Sequence, residues 1–169
     1  MKTVPLRLSV LAQCPIPEGS SLGSALRNTL DLARLTDDLG FTRYWLAEHH
    51  GAASLACASP EVMIGPVAGA TKRIRVGSGG VMLPHYSPVK VAEQFSMLAG
   101  LFPGRIDLAV GRASGTDPIT TFALQRDRRQ ASPDDFPSQL AEPPGYINDD
   151  MPDDQPLPRR TPLPGRPAR

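Results

Sequence analysis

Four short clusters carry functional groups that ordinary packing does not call for: Gln13-Cys14, Glu48-His49-His50, Gly77-Ser78-Gly79-Gly80 and Gly111-Arg112. An unperturbed imidazole titrates near pH 6.5, so one histidine in a pocket can take or give a proton at working pH. His49 and His50 also invite a metal reading. Consecutive residues at a strand end point to opposite faces, however, and His85 alone cannot complete a ligand set, so no metal is expected. The plain structural alternative is a pair of hydrogen-bonded histidines. Glycine inside a strand costs roughly 0.5–1 kcal/mol relative to alanine and is kept where a bulge forms or another group approaches the backbone. A flat ring lying on the peptide plane accounts for Gly79-Gly80, as does a bulge. Neither a GxGxxG fingerprint nor a GxxxxGK[ST] loop is present. Arg112 follows an apolar segment, where an arginine pairs with an anionic ligand group or with Asp107, Asp117 or Glu48. Asp117 most simply caps or turns the chain.

These clusters sit where elements end. Strands are expected over 6–12, 41–47, 74–83 and 105–110, with helical segments between them. Ser20 or Ser21 can cap a first helix whose apolar face is Leu22, Leu26, Leu30 and Ala33, and Gly40 closes it. Ser59-Pro60 and Ser87-Pro88 each read as a cap followed by proline in the first turn. The last of these leads a face of Val89, Ala92, Phe95 and Ala99. Pro66 falls inside the second helix, which is expected to bend there or to begin later. A further helix fits 119–129. Strands joined by helical crossovers pair in parallel, so the class is α/β. An open doubly wound sheet and an arc of a (β/α)8 barrel both fit. In either, groups at the C-terminal strand ends face the ligand, which puts all four clusters on one rim.

Composition narrows the function. The chain has 169 residues, is 40% hydrophobic and 21% charged, and carries a net charge of +1, as a soluble globular protein does. No basic excess points to nucleic acid, and 5% aromatics give no base-stacking surface. No apolar run reaches the ~18–20 residues that span a bilayer. The N-terminal apolar stretch is shorter than a secretory core, which gives a cytoplasmic expectation. Cys14 and Cys57 show no framework spacing or CxxC pair and read as single buried thiols of a reducing compartment, with a disulfide between them as the alternative. Residues 133–169 hold ten prolines and nine residues of the AVILMFWYC set. Such a segment buries too little to offset its chain entropy, so a largely disordered tail is expected, with disorder from about Asp149.

Taken in register, Leu46-Ala47-Glu48-His49-His50, Arg75-Val76-Gly77-Ser78-Gly79-Gly80-Val81-Met82-Leu83-Pro84, Val91-Ala92-Glu93-Gln94-Phe95, Pro103-Gly104-Arg105-Ile106-Asp107-Leu108 and Gly111-Arg112-Ala113 resemble the luciferase-like flavin-dependent monooxygenases over about residues 8–136. The resemblance implies the N-terminal half of a (β/α)8 TIM-type barrel, about four parallel βα units over 1–132, followed by the proline-rich tail over 133–169. It implies oxidation of a small-molecule substrate by O2 on reduced FMN, the flavin being supplied by a partner reductase. On the matched positions, His49 corresponds to the catalytic histidine. Gly79-Gly80 corresponds to a cis non-proline peptide under the isoalloxazine, and Arg112 to a flavin-contacting arginine. Pro66 departs from the family pattern. A complete barrel takes about 250 residues, so a truncation or shifted reading frame near 156–169 is expected, with the segments that hold the flavin phosphate absent. Two roles follow: an FMN-dependent enzyme, or a catalytically incompetent association module. Open sheet edges imply self-association.

Overall fold

The computed structural model describes residues 6–112, 117–124 and 135–148. It divides into two compact units, Met1–Val81 with Phe102–Ala109, and Met82–Leu101 with Val110–Arg169. In the first, strands β1 (Ser9–Ala12), β2 (Arg43–Leu46), β3 (Arg75–Ser78) and β4 (Ile106–Asp107) form one sheet in chain order, every neighbour parallel. Helices α1 (Leu22–Asp38) and α2 (Pro60–Ala70) make the first two crossovers. The class is α/β, as the pattern of elements required.

The register separates two faces. Val10, Tyr44, Val76 and Ile106 lie side by side, as do Leu11, Trp45, Gly77 and Asp107. Tyr44, Leu46 and Val76 are fully buried, as are Ile64 and Val67 of α2. On the opposite face Leu11 keeps 56% of its surface exposed, and Trp45, Arg43 and Arg75 are half-buried. Arg43 and Arg75 both donate to Asp107 there, Arg43 Nε at 3.0 Å and Arg75 Nε at 2.9 Å.

Helix α1 begins as expected, with the Ser21 hydroxyl accepting the Ser24 N–H. Its buried stripe is Ala25, Thr29, Ala33 and Thr36, whereas Leu22 is exposed. Small side chains let the helix lie close: the Tyr44 hydroxyl of β2 donates to the Thr29 carbonyl at 3.1 Å. Gly40 ends the helix at φ +78°, a conformation that favours glycine. Helix α2 starts at Pro60 and runs through Pro66 without interruption, so the expected late start is corrected. Proline at 66 withdraws the donor that the Val62 carbonyl would use, but both residues are exposed and water can serve that carbonyl.

At the N-terminal end of the sheet the crossover from α2 to β3 is clamped from both sides. The buried Asp37 carboxylate accepts the N–H groups of Lys72 (2.7 Å), Arg73 (3.0 Å) and Ile74 (2.8 Å). Arg105 donates to the carbonyls of Ala68, Thr71 and Ile74 and to the Thr71 hydroxyl.

The second unit holds a 3-10 turn (Leu83–His85) and helices α3 (Pro88–Leu101), α4 (Pro118–Leu124) and α5 (Phe136–Asn148). The buried stripe of α3 is Val91, Ala92, Phe95 and Leu98, displaced from the expected Val89 and Ala99. Asp117 caps α4, its carboxylate accepting the N–H groups of Ile119 (2.9 Å) and Thr120 (3.0 Å). Helix α5 lies in the proline-rich segment, ahead of the stretch from about residue 149 where disorder is expected. Pro143 and Pro144 each remove a donor, but α5 buries Gln139, Pro143 and Tyr146 on one face, and Tyr146 packs on Ala92 with Val89 and Ile147. Residues 125–134 and 149–169 lie outside the described residues. Among the described residues no helix is long and apolar enough to cross a membrane.

Asp37 yields a test. Burial alone would push its carboxyl up, but the three backbone N–H groups and the Arg73 guanidinium outweigh that and hold it below the ordinary range. A carboxyl lowered by folding adds stability above its unfolded pKa of about 3.9, and that stability is lost as pH falls through the folded value. In urea unfolding at pH 7, Asp37→Ala is expected to cost about 2–3 kcal/mol and to flatten the acid limb of the stability profile below about pH 4.

Candidate functional site

The C-terminal ends of β1, β2 and β3 carry three of the four clusters. The loop after β2 folds back over the end of β1. Ala47 N–H donates to Ala12 O (3.0 Å), Ala56 N–H to Cys14 O (2.8 Å) and Ile16 N–H to Ser54 O (2.7 Å), with an antiparallel bridge between Pro15 and Leu55. The same loop fixes His49, whose N–H donates to the Cys57 carbonyl at 3.0 Å. On the other side Gly79 N–H donates to the Leu46 carbonyl at 2.7 Å, which seats the glycine pair at the strand end next to the histidine loop.

Glu48 and His50 form the side-chain pair, with His50 Nε2 2.7 Å from Glu48 Oε1 and the carboxylate fully buried. His49 does not join it. Its Nδ1 is buried and has no hydrogen-bond partner. One imidazole is therefore committed to structure, and its neighbour holds unspent hydrogen-bonding capacity in a water-poor setting. Among the described residues no group of three or more His, Cys, Asp or Glu is arranged to hold a metal ion.

The Gly79–Gly80 peptide bond is cis. A Cβ on Gly79 would stand 2.8 Å from Leu11 Cδ1 and 3.0 Å from Trp45 Cβ. A Cβ on Gly77 would stand 2.8 Å from the Trp45 ring and collide with the Asp107 carbonyl. The close approach that excludes side chains at 77 and 79 is thus made by the protein's own Trp45, Leu11 and Asp107. At 79 and 80 the chain still presents backbone without side chains, with Gly79 exposed.

Arg112 belongs to the second unit, follows the two-residue strand Val110–Gly111, and is exposed. Its guanidinium carbon stands 5.7 Å from the centroid of the Phe136 ring, in cation–π range.

Sequence reasoning missed Glu61, in the first turn of α2. Its Oε2 is buried without a hydrogen-bond partner. Burial pushes its carboxyl up and the Glu48 carboxylate pushes the same way, against the pull of its own N–H and of His50. The signal was available: a helix after a strand of a parallel sheet begins on the ligand-facing rim, so a first-turn acid belongs there. A carboxyl raised by folding costs stability as pH rises past its unfolded value of about 4.3. Glu61→Gln is expected to gain on the order of 1 kcal/mol at pH 8, the gain vanishing near pH 4, as read from urea midpoints at the two pH values.

Comparison with known proteins follows this geometry. The family model described as luciferase-like monooxygenase matches residues 6–138. The chain is 50% identical over 137 residues to a luciferase-like monooxygenase of Escherichia coli, covering 81% of this chain and 41% of that protein. It is similar to the crystal structure of apo-MsnO8, with TM-score 0.83 and 41% identity, over 96% of this chain and 48% of that one. The fold is shared with the oxygenating constituent of 3,6-diketocamphane monooxygenase from Pseudomonas putida in complex with FMN, with TM-score 0.70 and 21% identity, over 82% of this chain and 38% of that one. The chain spans about half the length of the curated relatives it matches.

Proposed function

This chain belongs to the luciferase-like monooxygenase family, and from that membership we propose that it serves a flavin-dependent monooxygenase reaction in which a small organic substrate is oxidised by O2. The cofactor assigned is FMN, which the camphane monooxygenase constituent binds on the same fold and which a separate reductase would deliver reduced. Bound there, the flavin supplies the electrons that activate O2.

The observation that carries this reading is the buried, unpartnered Nδ1 of His49 at the strand end adjoining Gly79–Gly80. An imidazole nitrogen with no protein partner is free to hold or move a proton at a bound ring or substrate. Gly79 and Gly80 would carry the flat ring on bare backbone. From its match to the family, Arg112 is assigned to an anionic group of the cofactor. Glu48 and His50 keep the histidine loop in register through their 2.7 Å contact. A cytoplasmic location is part of the proposal and agrees with two free thiols.

A second role rests on a specific observation. Leu11 of the outer strand is 56% exposed and Leu6 and Leu8 just before it are 84% and 49% exposed, on a parallel sheet that normally has both faces covered. We therefore assign this edge and face to self-association. Sedimentation at micromolar concentration is expected to show dimers or larger species, and a stable monomer would remove the assignment.

FMN fluorescence quenching tests the first role. Saturable binding is expected in the micromolar range, and its absence up to high micromolar flavin would leave only the association role for this chain. His49→Ala is expected to keep FMN affinity within about threefold while lowering turnover by about 10²-fold or more, the usual scale for a proton-transfer group. Equal loss of both would make His49 a structural contact.

A further inference from the structure

The two cysteines, which sequence reasoning reads first as single thiols, are neighbours. The backbone bridge between the end of β1 and the loop after β2 sets them side by side, each 1% exposed, close enough for the state of one thiol to bear on the other. Cys14 also lines a cavity of about 380 Å³ together with Gln13, Asn28, Thr29 and Tyr44. A water molecule occupies about 30 Å³ of liquid, so this space has room for a molecule the size of hydrogen peroxide beside residue 14.

We propose that Cys14 and Cys57 are a redox-sensitive dithiol that hydrogen peroxide entering this cavity converts to a disulfide. The Cys14 thiolate attacks one peroxide oxygen, the O–O bond breaks, and Cys14 becomes a sulfenic acid as hydroxide leaves. The Cys57 sulfur then attacks Cys14 Sγ, the S–O bond breaks, and water leaves with the thiol proton. Overall, two thiols and one peroxide give one disulfide and two waters. The order follows from the local chemistry. Cys14 is the cysteine that lines the cavity, and the neighbouring Cys57 thiol lowers its pKa against the opposing effect of burial, with a smaller contribution from Thr29. Cys57 is pushed up by Cys14 and by burial, so it keeps its proton until the second step.

Closing the bond fixes the sulfurs at about 2.05 Å and ties residue 57 to residue 14. The Cys57 carbonyl is the acceptor for the His49 N–H at 3.0 Å. The oxidation state of the dithiol is thereby tied to the placement of His49, and Cys57 acts as a positioning residue for it.

The test uses the full 169-residue chain, oxidised with hydrogen peroxide while folded, then denatured, alkylated and mapped by mass spectrometry. The expected result is loss of two hydrogen atoms, both cysteines shielded from alkylation, and one dithiothreitol-sensitive peptide joining Cys14 to Cys57. Cys14→Ser should leave Cys57 as alkylatable as in untreated protein. Two alkylatable cysteines after peroxide, or Cys14 carried to sulfinic acid without a cross-link, would overturn the proposal. The His49 amide resonance should move on oxidation and return on reduction. An unmoved resonance in cross-linked protein would overturn the link to His49 while the dithiol stands. None of these readouts depends on flavin, so they fail or succeed apart from the FMN reading.

Discussion

Everything at the rim depends on how one indole is accommodated. Trp45 projects from β2 onto the sheet face shared with Leu11, Gly77 and Asp107, and the neighbouring strand leaves room for it by carrying no side chain at 77 or 79. An alanine at 77 would meet the ring at 2.8 Å, closer than any real Cβ contact, so the tryptophan and the glycines are a single packing unit. With β2 and β3 locked in this register, Gly79 reaches the Leu46 carbonyl, and the chain leaves β2 three residues before His49.

The polar interactions divide the sheet into ends with different duties. At the N-terminal end, Asp37 and Arg105 hold the turn before β3 through the N–H groups of Lys72, Arg73 and Ile74 and the carbonyls of Thr71 and Ile74, so that end is suited to stability. At the C-terminal end, capacity is left over: His49 Nδ1 and Glu61 Oε2 are buried and unpaired. Unsatisfied buried polar atoms are expensive, and proteins concentrate them where a ligand or proton is to be received. The contrast between the ends says more about function than any one residue.

Much of this was legible in the chain itself. The cap at Ser21, the helix start at Pro60, the closing Gly40, the parallel pairing of the strands and the rim position of the histidines follow from local propensity and from the parallel α/β rule. Less legible were features set by partners distant in sequence. The leucines of α1 suggested a face that the structure leaves largely to Ala25, Thr29 and Ala33, because closeness to Tyr44 outweighed hydrophobicity. The glycines suggested an approaching group but not that it was Trp45, since register is a tertiary property. The Cys14–Cys57 contact arises from a loop folding back on a strand end, which no spacing rule encodes. Helix α5 shows that proline content alone does not decide disorder when one face finds a surface to cover.

The uncovered sheet face is graded along the strands. Toward their starts it presents Ser9, Arg43 and Arg75, with Asp107 reaching back to both arginines, while a layer further on presents Leu11 and Trp45. Such a gradient gives the face a head and a foot. A covering layer laid the right way up meets wet groups with wet groups and oil with oil, whereas the same layer inverted strands its charges over the indole. Orientation is thus written into the surface before any shape complementarity is considered.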